Sequence, residues 1–215
     1  MLITGKATLF LMWLLQTSRA GNTIDYLKKG NKYIYMKEYD FALIATSKQK
    51  LDAEEVCRIA DNLFDAGADD CTVSLSGNTL IIEFDRESET YKDAVTSAIR
   101  QVNSIKELNV KSVDAGQWVG LSDAAELSDL TRSALSKFSK GERGDGKFPA
   151  PYLRVSGKTP LYDWSEVASW LHEKALIDPE VVDNAKTTSK INVALRFNSD
   201  ELKEIISITE ELVIK

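Results

Sequence analysis

Few side chains of the kinds that carry nucleophilic or metal chemistry occur in this 215-residue chain. His172 is the one histidine, so a histidine-based triad or metal cluster has no second imidazole. The two cysteines, Cys57 and Cys71, give no disulfide framework or zinc set. Without a C-x-x-C spacing, they fit small buried apolar side chains better than a redox pair. No nucleophile and base can be paired, so the sequence predicts no enzyme activity, cofactor or metal.

Charge is divided into blocks along the chain. The formal net charge is −6, yet residues 1–37 and residues 131–158 each carry +5, while residues 38–130 carry −11 and residues 159–215 carry −5. Association responds to the field within about one Debye length, roughly 8–10 Å. The net charge of −6 therefore excludes a protein whose whole surface is basic, but it allows one local cationic surface.

The basic block at residues 131–158 contains a short helix pattern whose outward side chains are suited to DNA. Arg and Lys bind guanine edges or phosphates, and Ser and Thr bind phosphates or either base type. The outward set is Arg132, Ser133, Ser136, Lys137 and Lys140. The other interpretation of the helical pattern is an ordinary amphipathic helix pair with a solvated polar face.

The elements that would position this set are predicted over residues 118–174. Ser122 is expected to cap a first helix and Thr131 a second one, with a turn at residues 128–130. A flexible loop at residues 141–147 precedes a β-hairpin whose turn is Ser156-Gly157-Lys158. Asp163 then opens a third helix through a capping box. We expect three aromatic side chains to pack in the core instead of stacking on bases: Phe148, Trp164 and Trp170.

Four segments carry a resemblance to a known family: GLSDAAEL from residue 120, LTRSALSKF from residue 130, FPAPYLRV from residue 148 and LYDWSEVASWL from residue 161. Together they resemble the AlpA/excisionase-type, MerR-like winged helix-turn-helix family over residues 119–172. In that family the second helix enters the major groove and the wing contacts the adjacent backbone. One departure is Asp129, where such turns often have glycine, although aspartate tolerates a left-handed conformation.

The resemblance assigns residues of this chain to two kinds of DNA contact. It implies groove contacts by Thr131, Arg132, Ser133, Ser136 and Lys137. It implies contacts on or near phosphates by Arg143, Lys147, Arg154 and Lys158.

Residues 38–115 show the pattern strand, helix, strand, strand, helix, strand. A strand at residues 39–46 precedes a helix capped by Asp52, whose apolar face is expected to hold Val56, Ile59, Ala60, Leu63 and Phe64. A hairpin pairs residues 71–75 with residues 79–84, Ser88 is expected to cap the second helix, and residues 110–113 form the last strand. This order is the split βαβ arrangement of ferredoxin-like domains, which host many functions. Dimerisation and ligand sensing both stay open, as does any effector.

Acidic residues Asp65, Asp69 and Asp70 follow the first helix of this domain. They are interpreted as a solvated loop instead of a cation site.

The two ends of the chain are predicted to be extensions. Residues 1–37 include an apolar run, residues 7–15, too short for the ~20 residues that span a bilayer. A secretory signal cut near Ala20, a natural start at Met36 and a packed N-terminal helix stay open there.

Residues 178–215 contain an alternating strand, residues 191–197, and a helix capped by Ser199. That strand is expected to pair with its twin or with a sheet edge.

The combined prediction is an α+β chain with a ferredoxin-like domain at residues 38–115, a winged helix-turn-helix at residues 118–175 and a strand-helix extension at residues 178–215. The predicted function is sequence-specific binding of double-stranded DNA by a cytoplasmic homodimer, as a bacterial transcriptional regulator or mobile-element accessory factor. No membrane association is expected. The alternative is a non-catalytic protein-interaction adaptor with the same fold.

Overall fold

The computed structural model describes residues 25–29, 32–114, 116–197 and 199–212 and has a mixed α+β fold, as predicted. The predictions for the apolar run and for a cut near Ala20 lie outside these residues. The strands are β1 Asp25–Lys29, β2 Lys32–Ser47, β3 Cys71–Ser76, β4 Thr79–Ser88, β5 Leu108–Val113, β6 Trp118–Val119 and β7 Tyr162–Asp163. The helices are α1 Ala53–Asp65, α2 Tyr91–Ser104, α3 Leu121–Ser128, α4 Arg132–Ser139, α5 Trp164–Glu173, α6 Pro179–Arg196 and α7 Ser199–Glu211.

An antiparallel sheet in the order β3-β4-β2-β5 forms the centre of the first half of the chain. Successive side chains of a strand point to opposite faces, so every second residue of β2 and β4 enters the core. Phe41 lies opposite Phe84, and Leu43 lies opposite Ile82, and all four side chains are buried. The predicted order of strands and helices over residues 38–114 is present.

Strand β2 is longer than predicted. It begins at Lys32, not at Tyr39, and its first residues pair with β1, with Met36 opposite Asp25. One continuous strand therefore crosses the predicted boundary between residues 37 and 38. The physical reason is the β propensity of the Tyr33-Ile34-Tyr35 run, which continues the strand backwards although its pattern is less regular.

Helix α1 begins as predicted, because the Asp52 carboxylate accepts a hydrogen bond from the Glu55 amide at 3.0 Å. Ile59 and Leu63 are buried, but Phe64 is 66% exposed, so its predicted place on the buried face is wrong. Successive helical residues are about 100° apart, and the sheet covers only the Leu63 side of the last turn.

Helix α2 is capped by Thr90, whose hydroxyl accepts from the Asp93 amide at 3.1 Å. The prediction of Ser88 as its cap is wrong because β4 continues through Ser88, where the residue still pairs with Lys37.

The cysteines differ from the prediction of two buried thiols. Cys57 is exposed, on the solvent side of α1, and Cys71 is half-buried at the start of β3. The Cys71 thiol donates a hydrogen bond to the Ala68 carbonyl at 3.3 Å. Burial, with a smaller effect of the Asp70 carboxylate, raises the pKa of Cys71 to about 11.

We expect an alkylating reagent at pH 8 to modify Cys57 at least about tenfold faster than Cys71, because the thiolate is the nucleophile and Cys71 holds its proton. Peptide mass spectrometry over time measures both rates in one sample. Modification of both thiols at equal rates would contradict the placement of Cys71.

A partly buried ion pair lies where a solvated acidic loop was predicted. Arg86 is 7% exposed, and its Nε and Nη2 donate to the two carboxylate oxygens of Asp70 at 2.7 Å each. Its Nη1 donates to the Ser97 hydroxyl at 2.9 Å. The interpretation of Asp70 as a solvated side chain is wrong because Arg86, on the neighbouring strand β4, turns toward it.

The predicted strand at residues 191–197 is wrong, because Ile191 to Arg196 form the last part of helix α6. The alternation of these residues resembled a strand. The helical period of α6 was not recognised in the sequence because two of its buried positions hold polar residues, Thr188 and Asn192, where apolar residues are usual. Pro179 at the first helical position favours the helix start.

Helix α6 joins the two halves of the chain. Val182 and Ala185 belong to the core of the second half, whereas Ile191 and Leu195 pack against the core under the sheet. Between them, Thr188 shares a hydrogen bond with the buried Tyr91 hydroxyl at 2.9 Å.

Candidate nucleic-acid interface

The helix pair α3–α4 is built by local hydrogen bonds. The backbone N–H of Gly120 donates to the Asp123 carboxylate at 2.9 Å, so Gly120, and not the predicted Ser122, is the N-cap of α3. The carboxylate of Asp123, at the third helical position, can satisfy the cap amide, which moves the helix start to Leu121. Asp129 ends α3 in a left-handed conformation with φ of 53°, as its tolerance for this region allows.

Helix α4 has one buried and one exposed side. The Thr131 hydroxyl accepts from the Ala134 amide at 3.2 Å, which confirms Thr131 as its cap. Leu135 is fully buried and Phe138 is 6% exposed. Arg132 and Lys137 are exposed on the helix surface outside this buried stripe.

The core below α4 is aromatic. The Phe138 and Phe148 rings each meet the Trp170 ring edge-on, with centroids 5.1 and 5.2 Å apart. Trp164 is 3% exposed. The prediction that Phe148, Trp164 and Trp170 pack in the core is confirmed, and these rings support α4 against α5.

The predicted contact residues lie in two groups of the fold. The first comprises α4 with the loop that follows it: Thr131, Arg132, Ser133, Ser136, Lys137, Lys140, Arg143 and Lys147. The second comprises Arg154 and Lys158 in the loop of residues 148–161. All ten are exposed except Ser136, which is half-buried. In the part of the chain that the structure describes, none of their seven basic side chains forms an ion pair.

The loop of residues 141–147 folds back onto α4. The Glu142 and Arg143 amides both donate to the Lys137 carbonyl, and the Arg143 guanidinium lies 5.0 Å from the centre of the Phe138 ring. Lys174 pairs with Asp145 and holds the pKa of that carboxyl below its ordinary value. This pairing neutralises one of the two acidic side chains in the basic block.

The predicted β-hairpin at residues 148–161 is reduced to one bridge, between Leu153 and Leu161. Pro149 and Pro151 lack the N–H that a longer ladder needs. The turn at its tip is closed by the Gly157 amide, which donates to the Arg154 carbonyl at 2.8 Å. This short closure projects Arg154 and Lys158 away from the core.

An exposed apolar patch beside these cations was missed in the sequence. Trp118, Tyr152, Leu153 and Val155 are between 37% and 65% exposed, and the Trp118 and Tyr152 ring centroids are 5.0 Å apart. The available signal was a cluster of large apolar residues in a proline-containing segment with no strand or helix period to bury them. We name these four residues the wing patch.

Acidic side chains gather on the sheet face turned away from the core. Glu38, Asp40 and Asp85 are exposed, and their carboxylate oxygens lie within 4.8 Å of one another. Partial burial, followed by the neighbouring Asp85 charge, raises the pKa of Asp40. Other exposed carboxylates of the first half lie elsewhere, among them Glu54 and Asp61 on α1, so this face holds only part of the negative charge of residues 38–130.

His172 lies at the end of α5, where its Nδ1 is 3.1 Å from the Ile177 carbonyl oxygen. It borders a shallow cleft of about 640 Å³ with Leu130 and Pro179. No helix within the described ranges combines the length and the apolar character needed to cross a membrane.

Exposed cationic side chains therefore lie on α4, on the loop of residues 141–147 and on the turn at residues 154–158. The aromatic core below α4 supports this half of the chain. Such a surface can attract phosphates, and Arg and Ser side chains on an exposed helix can reach base edges. Comparison of the chain with protein-family models, with curated proteins and with solved structures gave no match.

Proposed function

We propose that this protein binds double-stranded DNA in a sequence-specific way, without catalysis, as a transcriptional regulator or mobile-element accessory factor acting in the cytoplasm. The observation that carries the proposal is a set of seven exposed basic side chains on α4, its following loop and the turn at residues 154–158, none of which is ion-paired with another described residue.

The proposal interprets residues 119–172 as a winged helix-turn-helix. In this interpretation α4 is the recognition helix, with Arg132 and Lys137 in the major groove. The loop of residues 148–161 is the wing, with Arg154 and Lys158 at phosphates. The two short helices α3 and α4, the left-handed Asp129 between them and the buried Leu135 support this interpretation.

The same proposal interprets β2 to β5 with α1 and α2 as a ferredoxin-like domain. The antiparallel strand order and the two helices over the core face support it. Its acidic outer face would repel phosphates, so DNA is directed to the basic face of the other half.

Two copies of the chain are proposed to act together on DNA. One recognition helix covers only a few base pairs, and dimers read two half-sites about one helical turn, roughly 34 Å, apart. The proposed site is therefore a palindrome or a repeat.

Selection from a pool of randomised duplexes, followed by binding titrations at several salt concentrations, tests the proposal. We expect one enriched site and an affinity that falls steeply with salt. Arg132→Ala should weaken the selected site by about 1–3 kcal/mol and relax its selectivity. Lys158→Ala should weaken all duplexes alike and reduce the salt slope by about 1.

Lys92→Ala is the matched control, because Lys92 is an exposed lysine on α2 in the first half of the chain. It should leave affinity and slope unchanged. An Arg132→Ala protein with full affinity and selectivity would refute the groove assignment. Absence of binding at low salt would refute DNA binding and favour the protein-interaction adaptor.

A further inference from the structure

Helix α7 carries an apolar stripe that the rest of the described chain leaves exposed. Among residues 200–212 only Ile205 is half-buried, whereas Leu202, Ile206, Ile208 and Leu212 are 36%, 58%, 45% and 61% exposed. Leu202, Ile205 and Ile208 are three residues apart, and Ile206 and Leu212 each follow one of them by four, so the set shares one broad face of the helix. An isolated helix of this length is marginal in water, and an apolar stripe normally packs against a partner.

The wing patch is the other group of neighbouring exposed apolar side chains in the described part of the chain. Among the described residues, the remaining large apolar side chains with high exposure are on five different elements: Tyr35, Phe64, Leu75, Leu127 and Val193. Single exposed apolar residues are normal on a protein surface, but a patch of neighbouring ones marks an interaction site.

Charge distinguishes between the surfaces that could cover α7. The helix has five acidic residues and one basic residue, among them Glu204, Glu210 and Glu211 on or beside its polar side. Pairing α7 with a second α7 would bring like charges together. In the wing patch, by contrast, Arg154 stands between Leu153 and Val155 in the chain and Lys158 follows three residues later. Neither cation has an ion-pair partner among the described residues.

We infer that α7 of one copy docks on the wing patch of a second copy, with the exchange made reciprocally in a two-fold dimer. The apolar stripe meets Tyr152 and Val155, and the acidic flank meets Arg154 and Lys158. A two-fold dimer contains this contact twice, which doubles the apolar area buried. The inference deepens the proposed function, since it names the surface that joins two copies in the absence of DNA.

Because Arg154 and Lys158 also belong to the set proposed for phosphates, α7 and DNA compete for them. The docked dimer is thus a DNA-free state, and DNA displaces the acidic helix from the wing.

Light scattering on the full chain, without DNA and at low salt, tests the contact. We expect twice the chain mass of 23.9 kDa for the natural protein. Ile206→Glu should give the monomer mass, and its circular dichroism spectrum should lose at most the helical signal of α7, since Ile206 is exposed. Ser207→Glu adds the same charge on the opposite side of α7 and should stay dimeric. A monomeric natural protein, or a dimeric Ile206→Glu protein, would overturn the inference.

A mixing experiment identifies the surface that α7 contacts. Tyr152→Glu should also be monomeric, because it removes the wing side of the contact. An equimolar mixture of Ile206→Glu and Tyr152→Glu should contain heterodimers, since one copy keeps an intact α7 and the other an intact wing patch. A Tyr152→Glu protein that stays dimeric would show that α7 pairs elsewhere and would refute the wing as its site.

The dimer measurement is made without DNA, so it tests the contact between two copies even if the protein does not bind DNA. Where DNA is bound, Ile206→Glu should raise the affinity about threefold to tenfold by removing the competitor. Unchanged affinity in a protein that became monomeric would refute the competition.

Discussion

Replacement of Asp70 by asparagine is expected to lower the free energy of unfolding by about 3 kcal/mol, because it leaves the buried Arg86 guanidinium without its counter-charge. Arg86 is 7% exposed and donates two bonds of 2.7 Å to this carboxylate. Asp70 itself is about a quarter exposed, which places the effect at the low end of the range for broken buried pairs. Urea unfolding of the two proteins measures the difference.

The neighbouring carboxylate supplies the control for this experiment. Asp69 is exposed, so Asp69→Asn should change stability by less than about 0.5 kcal/mol. The double replacement Asp70→Asn with Arg86→Met removes both charges and should recover most of the loss. Equal stability of Asp70→Asn and the natural protein would mean that the pair is solvated.

Asn192→Ala is expected to cost about 3 kcal/mol, because it leaves the buried N–H and C=O of Val113 unpaired. The Asn192 side chain accepts from the Val113 amide at 2.7 Å and donates to the Val113 carbonyl at 3.1 Å. Among the described strands β5 pairs only with β2, so these two groups face the open edge of the sheet, where no further strand supplies partners. Hydrogen exchange of the Val113 amide, together with urea unfolding, measures the local and global effects.

Val193→Ala is the matched control on the same helix. Val193 is 46% exposed on the outer side of α6, so its truncation should stay within about 0.5 kcal/mol. Exchange at Val113 should rise by about two orders of magnitude in Asn192→Ala and stay unchanged in Val193→Ala. No change at Val113 in either protein would contradict the docking of α6 on the sheet edge.

Elements defined by short-range interactions could be predicted from the sequence. Asp52, Thr131 and Asp163 each accept a bond from an amide two or three residues ahead, so the cap lies within the local pattern. The core faces of β2 and β4 follow from the period of two in their own residues. The candidate contact side chains of α4 were predicted for the same reason, since Leu135 and Phe138 define its buried side.

Predictions were wrong where the deciding partner is distant in the sequence. Ile191 to Arg196 alternate like a strand, but the helix forms because its buried positions meet Val113 and Tyr91, 79 and 97 residues away. Asp70 was expected to be solvated, and its partner Arg86 is brought close by the β3–β4 pairing. Contacts between residues that are distant in the sequence do not change the spacing of apolar residues within either segment.

The sequence by itself determined the order of the elements, several of their caps and the location of the basic block, because these depend on neighbours within a few residues. Only the tertiary structure decided that α6 connects two cores, that Arg86 and Asp70 form a partly buried pair, and that the exposed Tyr152 ring lies against Trp118. Burial is a property of the whole packed chain: a side chain loses solvent only when another element covers it, and the sequence pattern of one element does not specify that neighbour.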